Sequence, residues 1–162
     1  MPATTFESLL DRHQGEIMRY ILRSLGDAEL AQDIFQETFL RAFRAYRSLP
    51  ADANYRAWLY KIASNQCYDA RRQRARQPLP LEESVAVADR LDGGRRELVV
   101  AVASFVRSLP QRQRQAFILR KFQGMDYGEI AIVLGCAPEA ARASVYQALR
   151  KVRAHFAEEK DG

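Results

Sequence analysis

The chain has 162 residues, 48% of them hydrophobic, with a net charge of +5 and a pI near 9.5. That is enough apolar material for one ordinary domain or two small ones, and it excludes a chain disordered throughout. No apolar stretch approaches the roughly 18–20 residues of a membrane span, and no basic segment followed by an apolar run opens the chain, so a cytoplasmic protein without membrane insertion is expected.

The hydrophobic pattern is helical almost throughout, with no strand alternation and no fixed-period repeat. A first helix is expected from Thr5 to Leu25, with Thr4 and Glu7 at capping-box spacing and Gly26 as its stop. Phe6, Leu9, Leu10, His13, Ile17, Tyr20 and Ile21 follow its inner face, which makes His13 a packed histidine rather than a ligand. A second helix starts at the N-cap Asp27 and runs to Tyr46. Ile34, Phe35, Thr38, Phe39, Ala42 and Phe43 form its apolar stripe; Asp33, Gln36, Glu37, Leu40, Arg41 and Arg44 form the opposite face. Leu40 is the one apolar group on that polar side.

"SLPADANYRA" breaks the pattern as a loop, with Asp52 or Asn54 capping a third helix over 54–76. Tyr55, Trp58, Leu59, Ile62, Ala63 and Cys67 are expected to face its core. Tyr60, Lys61, Ser64, Asn65, Tyr68, Arg71 and Arg72 are expected on the other side. Residues 77–94 hold Pro78, Pro80, two adjacent glycines and an acidic bias, and read as a flexible linker between two helical domains, 1–76 and 95–162.

Beyond the linker, Leu98, Val102, Phe105 and Leu109 form one apolar edge, and Pro110 opens a helix running to Phe122. Asp126 and Glu129 cap a short helix over 127–134, Gly135 turns the chain, and Pro138 starts a last helix to about 157. The unit 111–157 has the layout of a helix-turn-helix. Ala131 is small where its helices cross. Ile130, Leu134, Ala141, Val145 and Ala148 face inward, leaving Arg142, Ala143, Tyr146, Gln147 and Arg150 outward.

Two surfaces point to nucleic acid. Basic residues cluster in "RRQRARQ" (71–77) and "QALRKVRAH" (147–155). The face of the 54–76 helix also interleaves aromatic and basic groups, which neutralise phosphates and offer stacking surface for unpaired bases. Catalysis finds no support: the chain has no Walker loop, no dinucleotide turn, no His-Glu-x-x-His, and only two histidines, His13 and His155. Cys67 and Cys136 lack metal-ligand spacing, so two reduced thiols, no metal site and no cofactor are expected.

Together these segments resemble the bacterial sigma factors. "DAELAQDIFQETFLRAFRAYRSL" resembles region 2, "YRAWLYKIASNQCYDARRQRAR" its following helix, and "LPQRQRQAFILRKFQGMDYGEIAIVLG" with "ALRKVR" resembles region 4. Nothing resembles region 1.1 or a full region 3, and that two-domain size matches the extracytoplasmic-function (ECF) group. The resemblance implies a non-enzymatic initiation subunit, monomeric when free, that binds core RNA polymerase and promoter DNA and is held by an anti-sigma factor. It implies that Asp33, Gln36, Glu37, Leu40 and Arg41 contact the polymerase clamp helices. It implies that Asn54, Tyr55, Arg56, Tyr60, Lys61, Asn65, Arg71 and Arg72 serve the −10 element. For the −35 element it implies Arg142, Ser144, Tyr146, Gln147, Arg150 and Lys151. Ser144 and Gln147 stand where the family carries basic residues. The rival class is a stand-alone helix-turn-helix regulator, which leaves the 33–41 patch unexplained.

Overall fold

The computed structural model describes residues 4–76 and 93–161. The described residues are all-α: α1 (Phe6–Leu25), α2 (Ala28–Ala45), a short 3-10 turn (Tyr46–Ser48), α3 (Tyr55–Arg76), α4 (Gly93–Arg107), α5 (Gln111–Lys121), α6 (Tyr127–Leu134) and α7 (Pro138–Asp161). They fall into two compact units, α1–α3 and α4–α7. The expected linker, 77–94, lies outside the described residues except for its last two positions, which open α4.

Local chemistry sets most of the helix ends. The first cap sits one residue later than the sequence pattern suggests: Thr5, not Thr4, accepts from the Ser8 amide at 3.2 Å. Asp27 caps α2 through Leu30 N at 3.0 Å, and Asp126 caps α6 through Glu129 N at 2.8 Å. Of the two candidates before α3, it is Asn54 whose Oδ1 accepts from the Ala57 amide, at 3.0 Å. Each such cap is worth about 1 kcal/mol. Pro110 occupies the cap position of α5, and Gln111 is the first helical residue. Gly26 and Gly135 end α1 and α6 with φ of 71° and 67°, a left-handed conformation that costs a side-chain-bearing residue strain.

In the first unit α1, α2 and α3 all pack on one another. Their core holds Leu9, Ile17, Tyr20, Ile21, Leu25, Ala31, Phe39, Ala42, Leu59, Tyr60, Ala63 and Cys67, and His13 is buried as expected. Large side chains buried this way contribute roughly 1.5–3 kcal/mol each. Three placements reverse the sequence reading. Tyr60 and Ser64 lie inside rather than on the outer face of α3, and Phe43 is 55% exposed rather than inward. The reason for the first two is that α3 meets two neighbours at once, so its buried arc is wider than one apolar stripe. Phe43 instead sits at the rim, edge-on to Phe6 at 5.2 Å and near Tyr46 at 6.4 Å.

In the second unit α7 packs on α4, α5 and α6. Val106, Leu109, Ala116, Phe117, Ile118, Leu119, Met125, Ile130, Ala131, Val133, Ala141, Val145 and Ala148 form its core. Leu98, expected on the apolar edge of α4, is largely exposed; Val106 takes the inner place. Buried Arg114 donates to the Leu109 carbonyl at 3.1 Å, and Arg120 to the Met125 carbonyl at 3.0 Å, which ties the loops flanking α5 to the helix.

Candidate nucleic-acid interface

Three surfaces carry the sequence-derived candidates. The first is the outer face of α2. Asp33, Gln36, Leu40 and Arg41 are exposed and Glu37 half-buried. Arg41 Nε donates to Glu37 Oε1 at 2.9 Å, a surface pair worth a few tenths of a kcal/mol. Leu40 is 44% exposed, and Phe43 lies one turn on, on its flank. Two large apolar side chains therefore stand within a charged rim, the anatomy of a protein contact. Periodicity put Phe43 inward; only the position of α1 leaves it at the edge.

The second surface is α3. Lys61, Asn65 and Arg72 are exposed and Tyr68 half-buried, and their spacing (61, 65, 68, 72) is one helical stripe. The Arg72 guanidinium lies 5.6 Å from the Tyr68 ring centroid. Between this stripe and α2 runs a groove of about 510 Å³, lined by Arg41, Trp58, Asn65 and Tyr68 among others. Trp58, assigned inward from the sequence, is half-buried and shows part of its ring to this groove. Arg41 belongs to both faces, so the first two surfaces adjoin.

Not every α3 candidate reaches that surface. Tyr60 is fully buried: its hydroxyl donates to Glu16 Oε1 at 2.7 Å and its ring meets Tyr20 edge-on at 5.2 Å. The Tyr20 hydroxyl in turn pairs with Ser64 Oγ at 2.6 Å. Arg56 is half-buried, with Nε donating to the same Glu16 oxygen at 2.9 Å, and His13 Nδ1 donates to Glu16 Oε2 at 2.8 Å. Burial alone pushes the Glu16 carboxyl up. The hydrogen bonds from His13, Tyr60 and Arg56, with the Arg56 charge, outweigh it and hold the carboxyl below its ordinary value. Glu16 went unseen in the sequence because two of its partners, Arg56 and Tyr60, lie 40 and 44 residues away. Arg71 is half-buried and donates to the Ser24 carbonyl at 2.9 Å, and Arg74 pairs with Asp27 at 2.7 Å. Asn54 is exposed but its Oδ1 is engaged in the cap, and Tyr55 is half-buried with its hydroxyl 3.5 Å from the Pro50 carbonyl.

The third surface is α7. Arg142, Tyr146, Gln147, Arg150 and Lys151 are exposed along it. Ser144 is buried, because it shares the inner face with Ala141, Val145 and Ala148; it is not a DNA-facing residue. The ring of Tyr127, at the start of α6, takes the Arg142 guanidinium at 5.0 Å and that of Arg120 at 4.5 Å. Tyr127 and Arg120 were not singled out by the sequence; their only signal is their place beside the turn of the helix-turn-helix. Gln113 of α5 also reaches this surface, donating to Gln147 Oε1 at 3.2 Å and accepting from Lys151 at 2.8 Å.

Comparison with known proteins explains why these three surfaces occur on one chain. The Sigma-70 region 2 family matches residues 9–77, and the Sigma-70, region 4 family matches residues 100–152. The RNA polymerase sigma-H factor of Pseudomonas aeruginosa is 30% identical over 157 residues, covering 88% of this chain and 81% of that protein. The ECF RNA polymerase sigma-E factor of Salmonella typhimurium is 27% identical over 157 residues, with 88% and 82% covered. The sigma factor RpoE of Bartonella quintana, solved in complex with the anti-sigma factor NepR, superposes with a TM-score of 0.76 at 25% identity, covering 92% of this chain and 94% of that one. The chain belongs to the sigma-70 family. It is an RNA polymerase sigma factor of the ECF type, built from regions 2 and 4.

Proposed function

We propose that this chain acts in the cytoplasm as a non-catalytic initiation subunit that joins core RNA polymerase through α2 and holds promoter DNA through α3 and α7. The observation that carries this reading is the groove between α2 and α3. It places the Leu40–Arg41 face directly beside a stripe of Lys61, Asn65, Tyr68 and Arg72. A polymerase contact and a strand contact are thereby built onto one rigid unit.

On α2, Leu40 and Phe43 supply apolar anchors, and Asp33, Gln36, Glu37 and Arg41 supply the polar rim. On α3, Lys61 and Arg72 meet phosphates while Trp58 and Tyr68 offer stacking faces to bases released from the duplex. Asn54 and Tyr55, at the loop before α3, stand at its entrance. Arg56 and Arg71 act as supports that fix α3 on α1, with Tyr60 wholly internal. On α7, Arg142, Tyr146 and Gln147 face base edges, and Arg150 and Lys151 the backbone. Each contact alone is weak. Joined through polymerase, the two DNA contacts raise each other's effective concentration, so free protein binds promoters poorly. An anti-sigma partner fits the same exposed faces, as NepR accompanies the similar RpoE.

Run-off transcription with purified core polymerase and genomic promoter fragments is expected to give transcripts that depend on this protein. No such transcript would remove the sigma reading for this chain. Within region 4, Tyr127→Ala is expected to weaken holoenzyme binding to −35 DNA about threefold. Tyr127 orders the Arg142 guanidinium before DNA arrives, and an exposed cation–π contact is worth about 0.5–1 kcal/mol. Tyr127→Phe keeps the ring and is expected to keep the affinity. Equal losses in filter-binding or fluorescence titrations would mean that the hydroxyl, not the stack, matters.

A further inference from the structure

Gln113 belongs to α5, outside the helix that enters DNA, yet it bonds to two residues of that helix. The chemistry of the three side chains fixes how each amide is turned. An ammonium has three donors and no acceptor, so the Gln113 atom 2.8 Å from Lys151 Nζ is its carbonyl oxygen. That bond is charge-assisted and therefore the strong one of the set. The NH2 end of Gln113 then faces Gln147, and the Gln147 atom 3.2 Å away is its own carbonyl oxygen. The outer end of the Gln147 amide is consequently its NH2.

The geometry points to Gln113 as a specificity-determining residue: through this relay from Lys151 it turns Gln147 into a hydrogen-bond donor toward the −35 element. The inference rests on the reading of α7 as the DNA-facing helix. A free glutamine favours adenine, accepting from N6 while donating to N7. A glutamine whose carbonyl is held back by Gln113 instead favours the base with two adjacent major-groove acceptors, which is guanine through O6 and N7. It disfavours cytosine, which offers the N4 donor there. Gln113 touches no base in this scheme; it acts through Gln147.

The test is promoter selection by holoenzyme from a library randomised through the −35 segment, read by sequencing of transcribed templates. Wild-type protein is expected to enrich guanine roughly fivefold at one position, an enrichment that Gln147→Ala abolishes. Gln113→Glu carries only acceptors. It still pairs with Lys151 but now accepts from the Gln147 NH2, which turns the Gln147 carbonyl outward. Selection at that position is then expected to switch to adenine or cytosine, whose amines donate. Gln113→Leu breaks both bonds and leaves Gln147 a free glutamine, so selection is expected to move from guanine to adenine alone. The same base selected by wild type, Gln113→Glu and Gln113→Leu would overturn the relay. So would an unchanged profile in Gln147→Ala. In both cases protein-dependent transcription persists and the sigma reading stands. Absence of any wild-type-dependent transcript would overturn that reading and the relay with it.

Discussion

Replacing Leu40 by glutamate is expected to weaken binding to core RNA polymerase by about thirtyfold or more, the ~2 kcal/mol of an interface anchor. Leu40 is 44% exposed in the free protein, so folding leaves nearly half of the side chain unused. Leucine and glutamate have similar helix propensity, and the position faces water. Far-ultraviolet circular dichroism and the melting temperature should therefore stay close to wild type. On the proposed polymerase contact the same position becomes covered, and an unpaired carboxylate there is costly. Leu40→Ala removes only apolar area and is expected to cost less, about tenfold. Fluorescence anisotropy with core polymerase measures both. Unchanged affinity in Leu40→Glu would show that the outer face of α2 is not the polymerase contact.

Tyr60→Ala is expected to destabilise the first unit by about 3–5 kcal/mol, because it empties a fully buried aromatic site. Tyr60→Phe keeps the ring and loses one hydrogen bond to a charged acceptor, for about 1.5–3 kcal/mol. The smaller change carries a pH signature. The Glu16 carboxyl is held below its ordinary value of 4.5 in the folded protein. Its stabilisation is therefore full above that value and fades as pH falls through the folded one. Tyr60→Phe withdraws one of the donors responsible. The stability gap between wild type and Tyr60→Phe, measured by urea denaturation, should be widest above pH 4.5 and narrow in acid. A gap independent of pH would mean that the hydroxyl does not act through Glu16. A stable, folded Tyr60→Ala defective only in promoter opening would restore this residue to the DNA contacts.

These residues also mark how far a sequence can be read. Asp27, Gly26, Asp126 and Gly135 act within one turn of chain, and the helices begin or end beside them as their chemistry dictates. Arg142, Tyr146, Gln147 and Arg150 were legible on α7 because Ala141, Val145 and Ala148 mark its inner face unmistakably. Ser144 misleads because a small hydroxyl is at home on either side of a helix. Tyr60 misleads for a related reason: its ring suits a core and its hydroxyl suits water, and the deciding partner, Glu16, is 44 residues distant. Phe43 reverses the error: its place on the apolar stripe suggests burial, yet it packs edge-on against Phe6, at the very start of α1, and stays largely exposed. Gln113, Arg120 and Tyr127 gain meaning from α7 alone, and no local pattern announces that contact.

The arginines closing α3 have a consequence for ionic strength. Three of them, Arg71, Arg72 and Arg74, look on paper like three phosphate partners. Arg74 has its charge offset by Asp27, and the fork of Arg71 is turned to the carbonyl of Ser24. Arg72 faces outward. Each phosphate neutralised releases about 0.7–0.9 of a condensed counterion. Among these three arginines only Arg72 is exposed, so on the proposed strand contact the trio displaces the ionic atmosphere of roughly one phosphate rather than three, and its share of the salt dependence is smaller than its composition implies.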